Sequence, residues 1–480
     1  MKVCLLIEGA YPYVNGGMSN WVQNLMLRMP DTEFVVQAIA ANRGETREFK
    51  YKIPENCSEI QEVYLLDDDY VSQRRQFRLK MTDEEYGAFE DLLFGEHTNW
   101  DIIIKFFAEK NVSLNALLSG EDFLSMVLNF YQQHHSRMVF TDFLWTLRSM
   151  YLPLFTIMKS ITLKADIYHS ASAGYAGIWA SMQKVIYNKP FIMSEHGIYT
   201  REREEEIIKA DWVKGVYKDL WISQFRKIGD CCYQKADVVT SLFEDARQFQ
   251  LELGCPEEKT IITPNGMDPK RFADAPKKDQ DDKFINFGAL LRVTPIKDVK
   301  TMINAFALAR EKNKNIRLWI MGDMDEAPDY AEECKHLVDE LGVEEVIFTG
   351  VIRAADYIGK MDVMMLSSIS EGQPLSILEA FTAKKPFIAT NVGNCRGLIE
   401  GEFDDYGPAG IIVPVMSAAK MAQAILELAD SEEMRREMGE VGYRRTVEFY
   451  DEQEAYGKYS RLYQSVMKTG VNKWQASDLN

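Results

Sequence analysis

The sequence has no C-x2-C pair, no G-x-G-x-x-G, no repeat and no low-complexity tract, and it is short of positive charge. Its seven cysteines are odd in number and scattered, with only Cys231 and Cys232 adjoining, in a stretch that reads as a helix. Such spacing argues against a zinc ribbon and against a disulfide framework, so a reducing cytoplasm is the expected compartment. Lys and Arg number 55 against 73 Asp and Glu, a net charge of −18. A surface so acidic repels nucleic acid and anionic lipid, and nucleic acid is not an expected partner. The chain runs straight into an apolar strand, Lys2–Ile7, without the pattern of a signal peptide. Its most membrane-like stretch, Met138 to Met158, carries Asp142, Arg148 and Pro153, so no transmembrane segment is expected. The missing glycine fingerprint and acidic partner count against a hydride-transfer enzyme.

What is present is a long alternation of strand-like and helix-like segments. At 480 residues it calls for more than one core. The first half reads as an α/β domain over residues 1–273. Its early loop ends in Gly16-Gly17 just before a helix, where main chain can approach a bound group. Two strands end at His169 and at Glu195-His196-Gly197, the positions at which open α/β sheets bind ligands. A lone histidine is usually structural; two at equivalent strand ends weigh evenly between structure and function. Ahead of both, residues 67–158 carry apolar positions at helical spacing, through Glu84–Phe94, Trp100–Glu109, Glu121–Gln133 and Phe140–Ile161. This is a helical insertion of about ninety residues, whose frequent aromatics suit an internal core better than a docking face.

The apolar-poor stretch Ala273–Lys283 reads as a linker, and a second α/β domain is expected over 284–450, followed by a C-terminal helix over 451–480. In the second domain Arg292 and Lys297 bracket a strand-to-helix loop, a pairing of cations that suits a diphosphate. No Asp-x-Asp adjoins them in sequence, and no metal ligand is assigned. The stretch around which the chain is organised is Ser367 to Ala380. It reads as strand, tight loop and helix, with Gly372 in the loop, Pro374 in the first helical turn and free N–H groups at Leu375 and Ser376. Such a helix start attracts an anion. Glu371 and Glu379 flank it, placed to accept sugar hydroxyls on either side of a phosphate.

His169, His196, Asn265-Gly266, Arg292 with Lys297, and Glu371-Gly-x-Pro-Leu-x-x-x-Glu379 together resemble the retaining glycosyltransferases of family 4, which have the GT-B fold. The likeness covers most of the chain outside the helical insertion. It implies two Rossmann-like domains facing a cleft, a nucleotide sugar as donor, no further cofactor, and a last helix that crosses back to the first domain. By motif position it implies that Arg292 and Lys297 hold the diphosphate and Glu379 the ribose, while Glu371 and His196 meet the reacting sugar. Gly16 and Gly17 would close over the phosphate or the acceptor, His169 would lie on the donor, and Gly350, Val351 and Ile352 would contact the base through their backbone. The arginine stands later in Gly288-Ala-Leu-Leu-Arg292 than in the Gly-Arg-Leu of many relatives, which loosens its equivalence. A narrower resemblance, carried by His196-Gly-Ile-Tyr-Thr-Arg-Glu-Arg203 and the insertion, is to cytoplasmic enzymes of exopolysaccharide synthesis. It implies a UDP-hexose donor, a growing polysaccharide as acceptor, and an inner-membrane synthase complex as a partner of the insertion. A nucleotide-sugar epimerase, a sugar phosphorylase or a catalytically idle nucleotide-sugar scaffold would use the same features.

Overall fold

The computed structural model describes residues 1–9, 11–14, 16–43, 48–66, 78–213 and 215–469. The chain divides into two compact units, one of residues 1–262 with 459–480, the other of residues 263–458.

The first unit is built on seven parallel strands: β1 (Lys2–Glu8), β2 (Glu33–Ala40), β3 (Cys57–Tyr64), β4 (Ile167–Ser170), β5 (Phe191–Ser194), β6 (Val238–Ser241) and β7 (Thr260–Ile262), in the order β3-β2-β1-β4-β5-β6-β7. The inner strands are buried almost end to end, as strands covered on both faces by helices must be. The order reverses between β1 and β4, where Leu5 pairs with His169.

The connection from β3 to β4 holds the helical insertion. Its expected start at residue 67 lies outside the described residues. From Asp83 it runs through helices Asp83–Phe94, Trp100–Glu109, Leu114–Ser119, Glu121–Phe130 and Phe140–Lys159; the short Leu114–Ser119 helix had no period long enough to read. The first begins with a reciprocal cap, Glu85 N–H to Thr82 Oγ1 at 3.2 Å and Thr82 N–H to Glu85 Oε2 at 2.6 Å. Phe89, Ile104, Phe106, Leu147, Tyr151 and Phe155 join Ile178 and Trp179 in one hydrophobic core. Lys227, among the buried side chains, donates to the carbonyls of Asp91 and Leu92 at 3.1 and 3.0 Å and so closes the end of the first insertion helix. Burial pulls its amine down to about 8.

The second unit has six parallel strands: β8 (Ile285–Leu290), β9 (Ile316–Met321), β10 (Val346–Gly350), β11 (Val363–Leu366), β12 (Phe387–Thr390) and β13 (Gly410–Val413), ordered β10-β9-β8-β11-β12-β13. This is the doubly wound order, and its reversal lies between β8 and β11. Three helices, Ala418–Asp430, Glu432–Phe449 and Glu452–Thr469, complete the chain.

Boundaries were expected at 273, 284 and 450; the compact units divide at 262/263 and 458/459. The physical reason is hydrogen bonding in the segment after β7. Asn265 N–H donates to Gln373 Oε1 at 2.8 Å and Met267 N–H to the Tyr450 carbonyl at 2.8 Å, so residues 263–272 belong to the second unit. No helix among the described residues is long and apolar enough to cross a membrane.

Candidate active site

In the second unit the site forms where the strand order reverses. The chain leaves β8 through Leu291–Thr294 and a tight turn, Pro295–Lys297; it leaves β11 through Ser367 to Gln373. The two loops are laced together: Ser367 Oγ donates to the Lys297 carbonyl at 2.8 Å, and Ile369 N–H to the Ile296 carbonyl at 2.9 Å. Across this junction Lys297 Nζ sits 2.5 Å from Glu371 Oε1, which also accepts from Ser368 Oγ at 2.5 Å. Both members of the ion pair are largely buried, with side chains 17% and 10% exposed.

The Glu371-Gly372 turn is held from behind. Asn394 N–H donates to the Gly372 carbonyl at 2.8 Å, and Gly393 adopts φ +50°. A side chain at Gly393 would lie 2.3 Å from the carbonyls of both Glu371 and Gly372, so this close approach requires glycine. The following helix is Leu375–Thr382, and no side chain caps its start. Pro374 therefore stands just outside the helix, not in its first turn, a small correction. The N–H groups of Leu375 and Ser376 belong to a helix start that draws negative charge. Glu379 lies one turn further on, its side chain 16% exposed and Oε1 3.3 Å from Arg271 Nη2. Burial raises its affinity for a proton, and the Arg271 charge opposes that.

The other candidates of this unit lie along the same edge of the sheet. Gly350 ends β10 with φ +70°, and its carbonyl accepts from Gly322 N–H at 3.0 Å. Val351 beyond it is exposed and Ile352 half-buried. Arg292 does not join Lys297 at Glu371. It reaches Glu326 at 2.5 Å and is half-exposed, beside the acidic loop Gly322-Asp323-Met324-Asp325-Glu326. The expectation that no Asp-x-Asp lies near the cations held only along the sequence; Val293 N–H bonds the Asp323 carbonyl at 2.8 Å.

In the first unit, His169 is buried with both ring nitrogens engaged: Nδ1 is 2.6 Å from Tyr463 Oη and Nε2 2.8 Å from Ser194 Oγ. Thr240 Oγ1 donates to the same serine at 2.8 Å. His169, expected on the donor, thus has both ring nitrogens engaged in a buried clamp. Its basicity is lowered to about 3 by burial and by the neighbouring His196. A folded-state value below the unfolded one means that this burial stabilises above about pH 6.5 and that the benefit is lost as pH falls. Over that range the loss is on the order of 4 kcal/mol. His169→Gln is therefore expected to show a flatter fall in melting temperature between pH 6.5 and 4 than the natural chain. Identical slopes in thermal melts would contradict the assignment.

His196 differs. Its Nε2 is buried and has no hydrogen-bond partner among the described residues, its ring packs edge-on against Trp21 with centroids 4.6 Å apart, and burial lowers its basicity to about 4. It is a neutral imidazole at pH 7 with a vacant nitrogen. Beside it, Glu195 accepts from Tyr233 Oη at 2.7 Å, Gln250 Nε2 at 3.0 Å and Tyr199 N–H at 3.3 Å, and burial pushes its carboxyl up to about 7 against those bonds. Gly16 precedes and Gly17 opens the helix Gly17–Leu27; a side chain at either would meet nothing within 4 Å among the described residues. Arg201 lies over the Phe249 ring at 4.0 Å and Arg203 pairs with Glu206 at 2.7 Å. Glu8, a residue without a sequence signal, ends β1 half-buried and accepts from Tyr175 N–H at 3.1 Å; Trp21, Ser194, Tyr459 and Tyr463 were likewise unmarked.

Two doubly wound parallel sheets of this kind are the GT-B fold of glycosyltransferases. HepE from Anabaena, solved with UDP and glucose, is similar over 97% of this chain and 100% of its own, with a TM-score of 0.61 and 14% identity. The chain belongs to the family described as "Domain of unknown function (DUF3492)", whose model matches residues 1–258. Residues 281–431 match the family described as "Glycosyl transferases group 1". Among curated proteins, the MMP alpha-(1->4)-mannosyltransferase of Mycolicibacterium hassiacum is 23% identical over 285 residues, 58% of this chain and 66% of that one. The putative glycosyltransferase EpsD of Bacillus subtilis is 28% identical over 190 residues, 39% of this chain and 47% of that one. The chain thus spans between about half and two thirds of the length of these relatives.

Proposed function

We propose that this protein is a retaining, metal-independent glycosyltransferase that moves a hexose from a nucleotide sugar, UDP-hexose, to a growing exopolysaccharide. The observation that carries the reading is the Lys297–Glu371 pair at the β8/β11 reversal, beside the helix start at Leu375. Breaking the anomeric C–O bond leaves the electron pair on a nucleoside diphosphate. A fixed ammonium and helix N–H groups aimed at those oxygens stabilise the developing charge more than the ground state. The acceptor hydroxyl attacks the same face of the anomeric carbon, and its proton passes to the departing phosphate. Glu371 is the group for hydroxyls of the transferred sugar, and Glu379 is the group for the ribose.

The finer reading is an enzyme like PelF of Pel exopolysaccharide synthesis, working in the cytoplasm and recruited to an inner-membrane synthase through the helical insertion. Trp145, exposed in that insertion with the Arg148 guanidinium 4.4 Å over its ring, supports a contact there. Purified protein in EDTA should release UDP from one of UDP-glucose, UDP-N-acetylglucosamine or UDP-N-acetylgalactosamine only when a glycan acceptor is added, with α product from α donor by NMR. Acceptor-independent loss of donor would point to an epimerase. Phosphate-dependent breakdown of a glycan would point to a phosphorylase, and no turnover at all to an idle scaffold.

A further inference from the structure

The segment that follows β7 grips the E-x7-E stretch at both ends. At one end Asn265 N–H donates to Gln373 Oε1 at 2.8 Å, and Gly266 is so close to the chain at Asp451-Glu452 that a side chain there would lie 2.5 Å from Glu452 Cα. At the other end Arg271 reaches Glu379 at 3.3 Å. Its guanidinium is braced by its own segment, Nη1 lying 3.5 Å from Met267 Sδ and the group standing 5.4 Å from the Phe272 ring centroid. Met267 and Phe272 are themselves anchored in the second hydrophobic core. The carboxylate is the buried member of this pair, at 16% exposure against 52% for the arginine.

We propose that Arg271 is a positioning residue of the nucleotide site, holding Glu379 as an oriented carboxylate that accepts both hydroxyls of a ribose. The inference rests on the donor site proposed above and adds a residue to it. A carboxylate can accept two hydrogen bonds from a vicinal diol, whereas a protonated carboxyl puts a donor where an acceptor is needed. Burial drives Glu379 toward the protonated form, and Arg271 is the charge set against it. Among the described residues, no charge other than that of Arg271 shifts Glu379. Helix Glu432–Phe449 meets that helix and the turn after it through Gly442 against the Phe381 ring and Gly439 against the Lys384 backbone, and β12 contains no ionisable residue. Glu371, at the far end of the loop, is occupied by Lys297 and Ser368.

The test is calorimetric titration of the full chain with UDP and with 2′,3′-dideoxyuridine diphosphate at several pH values between 5.5 and 8. ADP and GDP replace UDP should the base be another. Arg271→Met is expected to weaken binding of the ribose nucleotide by about tenfold at pH 7.5, and to move its loss on acidification to higher pH. The dideoxy compound should bind the natural chain and the variant alike, and Arg271→Lys should recover part of the affinity. Equal losses for both compounds, or no change in pH dependence, would overturn the role of Arg271 and leave the donor site standing. Absence of any nucleotide binding by the natural chain would overturn the donor site and the role of Arg271 together.

Discussion

Replacing Lys297 with methionine is expected to lower kcat/KM by on the order of 10²–10³-fold, with most of the loss in kcat. The side chain is 17% exposed and fixed 2.5 Å from Glu371, so its charge costs no reorganisation when the leaving phosphate develops its own. A complication is built into the pair: removing the cation also strands a buried carboxylate. Lys297→Met combined with Glu371→Gln separates the two effects. If the ammonium acts on the leaving group, the double variant stays as slow as the single one. If it serves only to neutralise Glu371, the double variant regains turnover. Melting curves should show both variants folded, since Ser367 and Ile369 bond the backbone of the Lys297 loop and not its side chain.

Arg445→Leu should cost the second unit about 3–5 kcal/mol, the usual result of breaking a buried ion pair from one side. Arg445 is fully buried in helix Glu432–Phe449 and forms a two-pronged bridge to Asp404, Nε to Oδ2 at 2.7 Å and Nη2 to Oδ1 at 2.8 Å. Its remaining N–H groups go to the carbonyls of Leu398, Ile399 and Gly407 at 2.9, 2.7 and 2.7 Å. Burial alone would favour the protonated Asp404; the Arg445 bonds outweigh it and hold the carboxyl below its ordinary range. Urea unfolding followed by circular dichroism measures the loss, and adding Asp404→Asn should recover part of it. A single variant as stable as the natural chain would mean that water replaces the guanidinium in this core. The turn so anchored starts at Gly393 and Asn394, which support the Glu371-Gly372 backbone, so donor affinity should fall along with stability.

The strands were legible wherever both faces are covered. Val363–Leu366 is wholly apolar, and Phe387–Thr390 and Ile316–Met321 each carry a single polar residue, so all three read as buried strands. The last strand of the first unit, Thr260–Ile262, was harder to bound, because nothing local distinguishes it from the hydrogen-bonded segment after it. Loop-and-helix chemistry around Glu371 was legible for the opposite reason: Gly, Pro and two glutamates constrain one short stretch. What the sequence hid were partners distant along the chain. Tyr463 lies 294 residues from His169, and its hydroxyl closes the nitrogen that a ligand would have needed. Arg292 was drawn away from Lys297 by Glu326, brought alongside through the pairing of β8 with β9. Arg271 had no signal of its own, since its meaning depends on Glu379 across the fold.

The shared interior of the insertion and the first sheet bears on how this protein could be engaged from outside. Phe89, Tyr151 and Phe155 are continuous with Ile178 and Trp179, and Lys227 ties off an insertion helix from beneath. These residues therefore do not form a detachable cassette that could be trimmed away or transplanted as a tether. Trp145 stands on a helix whose Leu147, Tyr151 and Phe155 are part of that interior, so a grip on it would bear on the sheet itself.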